Sequence, residues 1–594
     1  MKLFFTTLLA LGLSLGLHAQ KTVSGTVLSV DGESLIGASI LAKGTTAGTV
    51  TDIDGKFSLT VPPEVTVLVF SYTGFNSQEV TIGNSTNFDI VLAESVSQLS
   101  EIVVTGYGSQ IRSTLTGNIA QIDGEEIQNL PVTSTEQAMQ GRTAGVFVQA
   151  VSGKPGGRIN VRVRGSSSIS AGNQPLYVVD GVPITSGTFN SGGSGEQNFM
   201  ADLNPNDIAS IEILKDASAS AIYGSRAANG VVLITTKQGA TGKAKINLNL
   251  SYGSSEATRK REFMNAEEFS NFFLQTARGA GRYDWNNQIN DWGLPDEDYT
   301  LENITAEYVN FVEGRLDRYS GPSDWRTNET NTDWQEEAFR IGESRNADLS
   351  LSGGSQKLKY YGSFGYSDQE GILVNNGFER LSARLNLDAQ GSDRLNYGMR
   401  LAFSRSKNDR VPNDNAFSTP LQLIALSPIT PVRNNTGEDF RGFAPGQLFD
   451  RPITTYYNGL IEGVNSFQES ISFRTLGNVF GEYKIVDGLS FRAEAGVDVA
   501  NIKQSTFQGR QTTSGEATNG FGRGRWSNVV NYTTKALLLY NKELAGGHNL
   551  DFVGGVEFQD SQFENIEVEG QEFPLDELRT LASAADITEG FTDL

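Results

Sequence analysis

Side chains that could do covalent or metal chemistry are few in this chain, and they are scattered. It holds two histidines and no cysteine. His18 lies inside an apolar leader and His548 stands alone, which leaves a Ser-His-Asp set or a histidine-rich zinc site little to build on. The lack of cysteine removes disulfide scaffolds and thiolate-held metals. Thr51-Asp52-Ile53-Asp54-Gly55-Lys56-Phe57 opens like a calcium loop, but Lys56 stands at the third ligand position and Pro63 at the twelfth. Such a loop needs oxygen donors there and a glutamate at its end, so a hairpin turn is the better reading. No carboxylate pair, nucleophile–base set or metal cluster stands out. An enzyme is not expected, and no cofactor is implied.

The remaining candidates are groups that bind. Glu101-Ile102-Val103-Val104-Thr105 is a β-branched run ahead of Gly106-Tyr107-Gly108. It suits donation as an extra strand to another protein's sheet, and it reads equally well as an ordinary strand of the domain that follows. Arg162 and Arg164 alternate with Val161 and Val163 on one strand pattern, and Asp180-Gly181 ends another. The net charge of −22 argues against nucleic acid as a partner, since no basic patch offsets phosphate repulsion.

Several elements must position these groups. Leu3 to Leu17 follow Lys2 as an apolar run that is too short to span a bilayer. Leu17-His18-Ala19 closes it with a small residue, so 1–19 reads as a signal peptide and export is expected. An uncleaved anchor is the alternative. Short alternating runs across 20–93 (Thr22–Val27, Ala38–Leu41, Phe57–Val61, Val65–Tyr72, Phe88–Leu92) are separated by Asp-Gly and Lys-Gly turns and predict a β-sandwich. Residues 94–110 form a linker and 111–240 a compact α/β unit. In that unit the spacing predicts a short helix from Thr135 capped by Thr133 or Ser134, and buried strands at Tyr177–Val179 and Val231–Thr236.

Beyond Lys243 the period becomes two and stays there. Ile246, Leu248, Leu250 and Tyr252 alternate with polar residues, as do Leu381, Ala383, Leu385 and Leu387, and Leu489 to Val499. Long polar stretches, notably 261–340 and 409–463, alternate with tight turns such as Asp487-Gly488. The mean hydropathy of −0.29 does not separate a soluble protein from a membrane barrel, whose strands never form a continuous apolar run. The loop asymmetry favours the barrel, with a large soluble sandwich as the alternative.

Taken together, these residues resemble the SusC/RagA family of TonB-dependent outer-membrane transporters. Val23–Val27 and the Thr51–Phe57 turn are similar to the family's carboxypeptidase-regulatory-like extension, and Leu99–Gly108 to its TonB-box region. Gln140–Val146, Val161–Gly165, Tyr177–Pro183 and the long run Leu214–Gly230 are similar to its plug. The resemblance implies a mainly β fold: the sandwich, an α/β plug, and a partial antiparallel transmembrane barrel over 241–594. It also implies energy-coupled import of an oligosaccharide or peptide. In that scheme TonB, driven by ExbB and ExbD, pulls on Glu101–Thr105, and a SusD-like lipoprotein caps the pore. A siderophore or cobalamin receptor and a non-transporting adhesion protein are the alternatives.

Within that scheme Arg142, Arg162, Arg164 and Arg226, with Asp180, are expected to pair with charges on the barrel wall. Binding of an anionic substrate is the second reading. Trp285, Trp292, Trp325 and Trp334 are expected to pack loops, although sugar stacking is open to them. One departure stands out. A filled barrel of this class needs about 22 strands, and 241–594 has room for about ten. A truncated or split gene product, or an incomplete chain, is therefore expected.

Overall fold

The computed structural model describes residues 21–92, 102–105, 108–111 and 119–593, apart from internal stretches of which the longest are 186–197, 411–420 and 450–456. The backbone falls into two compact units. One comprises Met1–Val103 with Gln110–Leu115, the other Val104–Ser109 with Thr116–Leu594.

The first unit carries strands β1 (Lys21–Ser29), β2 (Ser39–Ala42), β3 (Gly48–Val50), β4 (Lys56–Val61), β5 (Val67–Ser71), β6 (Gln78–Thr81) and β7 (Asn87–Leu92). They form two sheets ordered β4-β1-β7 and β3-β2-β5-β6, with β1 and β7 parallel. Alternation makes each sheet two-faced: in β4, Phe57, Leu59 and Val61 are buried while Lys56, Ser58 and Thr60 are exposed. The apolar faces meet in one core, where Phe57 meets Phe70 edge-on at 5.4 Å. The Thr51–Phe57 segment is a turn but not a hairpin, because β3 and β4 belong to different sheets. Asp52 Oδ1 accepts the backbone N–H of Asp54 (3.0 Å) and of Lys56 (2.8 Å), so the carboxylate serves the turn itself.

Two short linker strands, β8 (Ile102–Thr105) and β9 (Gly108–Ile111), pair with each other in a sheet of their own. Glu101 lies outside the described residues.

The α/β part of the second unit carries β10 (Ile119–Asp123), β11 (Val146–Ala150), β12 (Ile159–Val163), β13 (Leu176–Val179), β14 (Val182–Ile184), β15 (Ile208–Leu214) and β16 (Val231–Thr236). Five of them form a sheet ordered β10-β15-β16-β13-β14, and β11 pairs with β12. The predicted helix runs Thr135–Met139, and the Ser134 side chain accepts the N–H of Gln137. Every residue of β13 is buried, as a strand covered on both faces requires.

The rest is a single ten-stranded antiparallel sheet in sequence order. It runs β17 (Gly242–Ser255), β18 (Gly342–Gly354), β19 (Leu358–Glu370), β20 (Gly377–Ser392), β21 (Leu395–Asp409), β22 (Ser466–Val486), β23 (Leu489–Gln508), β24 (Phe521–Leu544), β25 (His548–Gln571) and β26 (Asp586–Asp593). In β20 the even positions Phe378, Arg380, Ser382, Arg384 and Asn386 are buried, while Leu381 and Leu385 on the other face are 39% and 40% exposed. Ile246, Leu248, Leu250 and Tyr252 on β17 are at least 63% exposed. Rows of this kind are favourable against hydrocarbon, not against water. Among the described residues no helix is long and apolar enough to cross a membrane.

The stretch 261–340, expected to be loop, contains two long helices, α1 (Ala266–Asn287) and α2 (Leu301–Ser320). Trp325 is buried against them, Trp334 is buried in a separate cluster with Ala338 and Leu423, Trp285 packs on Tyr299, and Trp292 packs on Tyr308 and Phe311.

Candidate functional site

The inward row of the large sheet is polar, and the α/β unit presents polar turns to it. Asp180-Gly181 forms the two-residue turn between β13 and β14, with both residues at positive φ (47° and 84°), the geometry an Asp-Gly pair favours. The turn holds Asp180 against β20 and β22 of the wall. Its Oδ1 accepts the N–H of Thr236 (2.9 Å) and its Oδ2 accepts the hydroxyl of Thr236 (2.7 Å) and Nη1 of Arg384 (3.4 Å). Next door, Lys535 Nζ donates to the Gly181 carbonyl (2.5 Å).

Asn204 caps the turn Pro205–Asp207, and Asp207 takes the hydroxyls of Tyr361 (2.9 Å) and Ser363 (2.6 Å) and Nε of Arg384 (3.4 Å). Asp202 accepts from Ser406 (2.6 Å) and Ser472 (3.1 Å), and Arg380 donates to the carbonyls of Ala201 (2.8 Å) and Leu203 (3.1 Å). Burial pushes the Asp202 carboxyl up; Arg474 and the two serine hydroxyls pull it back.

The most deeply buried pair is Arg474 with Asp498, each 1% exposed in its side chain. It is bidentate (Nε–Oδ1 2.9 Å, Nη2–Oδ2 3.0 Å). Arg474 also donates to the carbonyls of Phe199 (2.9 Å) and Thr185 (3.0 Å), and Asp498 accepts the N–H of Thr185 (2.9 Å). Gly156 lets backbone approach the wall: a Cβ there would stand 2.4 Å from Asn408 Nδ2 and 2.5 Å from the Phe378 ring.

The charges are thus distributed the other way round from the sequence expectation. The inner unit supplies carboxylates and carbonyls, and the wall supplies Arg380, Arg384, Arg474 and Lys535. Arg142 bonds within its own unit to Glu126 (3.2 Å) and Arg164 likewise to Asp216. Arg162 makes no ion pair among the described residues. Arg142 and Arg164 are thus held by acids of their own unit, at 3.2 Å for Arg142, and not by the wall. Arg226 does reach the wall, donating to the Gln559 amide on β25, and Asp180 reaches it through Arg384. The wall arginines were overlooked in the sequence, although charged residues recurring at inward positions of a period-two strand are a readable signal: Arg380 and Arg384 alternate with Leu381 and Leu385.

Two further acids sit inside the α/β unit. Burial pushes Glu136 and Glu212 up to about 7; Asn198 donates to Glu136 (2.8 Å), whereas Oε2 of Glu212 has no hydrogen-bond partner among the described residues. Because the folded value exceeds the ordinary 4.5 of the unfolded chain, the folded state holds extra protons between pH 4.5 and about 7. Stability therefore falls as pH rises across that window. Thermal melting of the purified protein should give a lower Tm at pH 8 than at pH 5.5, and Glu136→Gln should flatten the difference.

The comparisons with known proteins agree with this arrangement. Residues 112–231 match the TonB-dependent Receptor Plug Domain and residues 23–104 the CarboxypepD_reg-like domain. TonB-dependent receptor P3 of Formosa agariphila is 33% identical over 570 residues, covering 94% of this chain and 50% of that protein. TonB-dependent receptor SusC of Bacteroides thetaiotaomicron is 32% identical over 515 residues, 83% of this chain and 46% of that protein. The chain belongs to the SusC-type TonB-dependent receptors. In the terms of that family the α/β unit is the plug and the ten-stranded sheet is barrel wall. The structure of the RagAB peptide importer in its open-open state shares the fold with a TM-score of 0.65 at 26% identity, covering 83% of this chain and 53% of that one. The chain spans about half the length of the curated relatives it matches.

Proposed function

We propose that this chain works in TonB-dependent import of an oligosaccharide or peptide across the outer membrane, alongside a SusD-like lipoprotein. The observation that carries this reading is the charged seat between plug and wall. Its members are separable side-chain bonds, each strong while water is excluded, so the plug stays seated at rest and can be worked loose by a pull. Glu101–Thr105 is the segment TonB would grip from the periplasm. Among the described residues β8 pairs only with the four-residue β9, and backbone hydrogen bonds worth about 0.5–1.5 kcal/mol each make that partner exchangeable for a strand of TonB.

SusC is a TonB-dependent receptor by name, which supports the energy coupling, and RagAB is a peptide importer by name, which supports a peptide as one of the two substrate classes. Import also requires a closed pore, so the edges of β17 and β26, which have no outer partner strand among the described residues, need partner strands beyond these ten, since unpaired backbone groups in hydrocarbon cost several kcal/mol each. The test is energy-dependent uptake of labelled oligosaccharides and peptides by cells whose only copy of this protein carries Val103→Pro.

A further inference from the structure

At the long-loop ends of β19 to β23 lies a cavity of about 820 Å³. Phe378 and Asn408 meet Gly156 of the plug nearby, and Phe467 stacks on Phe507 (6.1 Å between ring centres) to give the cavity an apolar flank. The cations that line it are, with one exception, already engaged. Arg340 is bonded to the Gly371 carbonyl (3.0 Å), Lys407 to Asp409 (3.0 Å), Arg433 to the Gly446 carbonyl (3.0 Å) and Arg579 to the Val464 carbonyl (3.1 Å).

Arg410 is the exception. It follows β21 directly and continues that strand's inward parity after Arg400, Ser406 and Asn408. Its backbone N–H donates to the Gln468 carbonyl (2.8 Å), so its place at the wall is fixed. The residue is only 9% exposed, yet its guanidinium makes no ion pair or hydrogen bond among the described residues. Burial alone pushes it down to about 10, which leaves it charged at neutral pH. A buried cation without a counter-charge costs desolvation that nothing in the protein returns. The planar, forked donors of arginine match a carboxylate or sulfate, two parallel bonds at a time.

We infer that Arg410 is the anion subsite of this cavity, which takes an oligomer bearing a carboxylate or sulfate group and pairs that group with the guanidinium. The inference rests on the import reading for its biological sense, but not for its test.

Calorimetric titration of the purified protein in detergent decides it, with two matched pairs: trigalacturonate against neutral galactotriose, and triglutamate against triglutamine. At least one charged member should bind about 10- to 100-fold more tightly than its neutral partner, as hydrogen bonds to a charged group imply. Which pair shows the preference tells glycan from peptide. Arg410→Met should erase the preference, and Arg410→Lys should keep part of it. Without ligand, Arg410→Met should melt at a higher temperature than the native protein, because a desolvated charge has been removed. Equal binding within both pairs, a preference that survives Arg410→Met, or a lower melting temperature in that variant would each overturn the subsite. None of these readouts involves uptake, so failure of the import reading would appear separately, in the Val103→Pro cells.

Discussion

Cells carrying Val103→Pro should lose energy-dependent uptake and fall to the level of cells without TonB, while substrate binding at the outer face stays unchanged. Proline has no N–H to donate and its ring fixes φ, so it removes a rung from any ladder formed by β8. The strand has only four residues, Ile102 to Thr105, and losing its centre leaves too little for a second chain to grip. The plug seat and the cavity lie elsewhere in the sequence, which is why binding should survive. Val103→Thr keeps both the N–H and the β-branched shape and should transport normally. Full uptake in Val103→Pro would remove this segment as the handle.

The second large effect belongs to the wall. Arg474→Ala should destabilise the protein by about 3–5 kcal/mol, because it leaves Asp498 buried without its counter-charge. It also strips the carbonyls of Phe199 and Thr185 of their donor, so the plug should loosen with it. The expected signs are a lower Tm and increased entry of large antibiotics that the native protein excludes. Arg474→Met combined with Asp498→Leu removes both charges and should recover part of the loss, and a double-mutant cycle separates pairing from packing. An unchanged Tm in the single variant would mean that water reaches the pair.

Much of this architecture was legible because period-two alternation is a direct consequence of strand geometry. Leu381 and Leu385 on one face with Arg380 and Arg384 on the other leave few other ways for that segment to fold. Asp180-Gly181 marked the end of a buried strand, and the helix start was placed with its cap left between Thr133 and Ser134, of which the structure uses Ser134. The helices α1 and α2 were missed because polarity dominated the reading of 261–340, although Asn265 and Glu268 form a capping box at the right spacing. Charge partners were not legible. Arg164 and Asp216, or Arg384 and Asp207, are far apart in sequence, and which acid reaches which base is decided only when the turns are placed against the wall.

That wall is the central claim, and the absence of native cysteine makes it directly measurable with single labels. Nitroxides placed at Leu385→Cys and Phe403→Cys, and at the inward neighbours Ser382→Cys and Ser404→Cys, can be tested in outer-membrane vesicles for collision with oxygen and with a water-soluble nickel chelate. The first pair should be rich in oxygen contact and poor in nickel contact, and the second pair should show no lipid exposure. Nickel reaching Leu385 and Phe403 as freely as a soluble surface, or no alternation between the two pairs, would contradict a lipid-facing barrel wall.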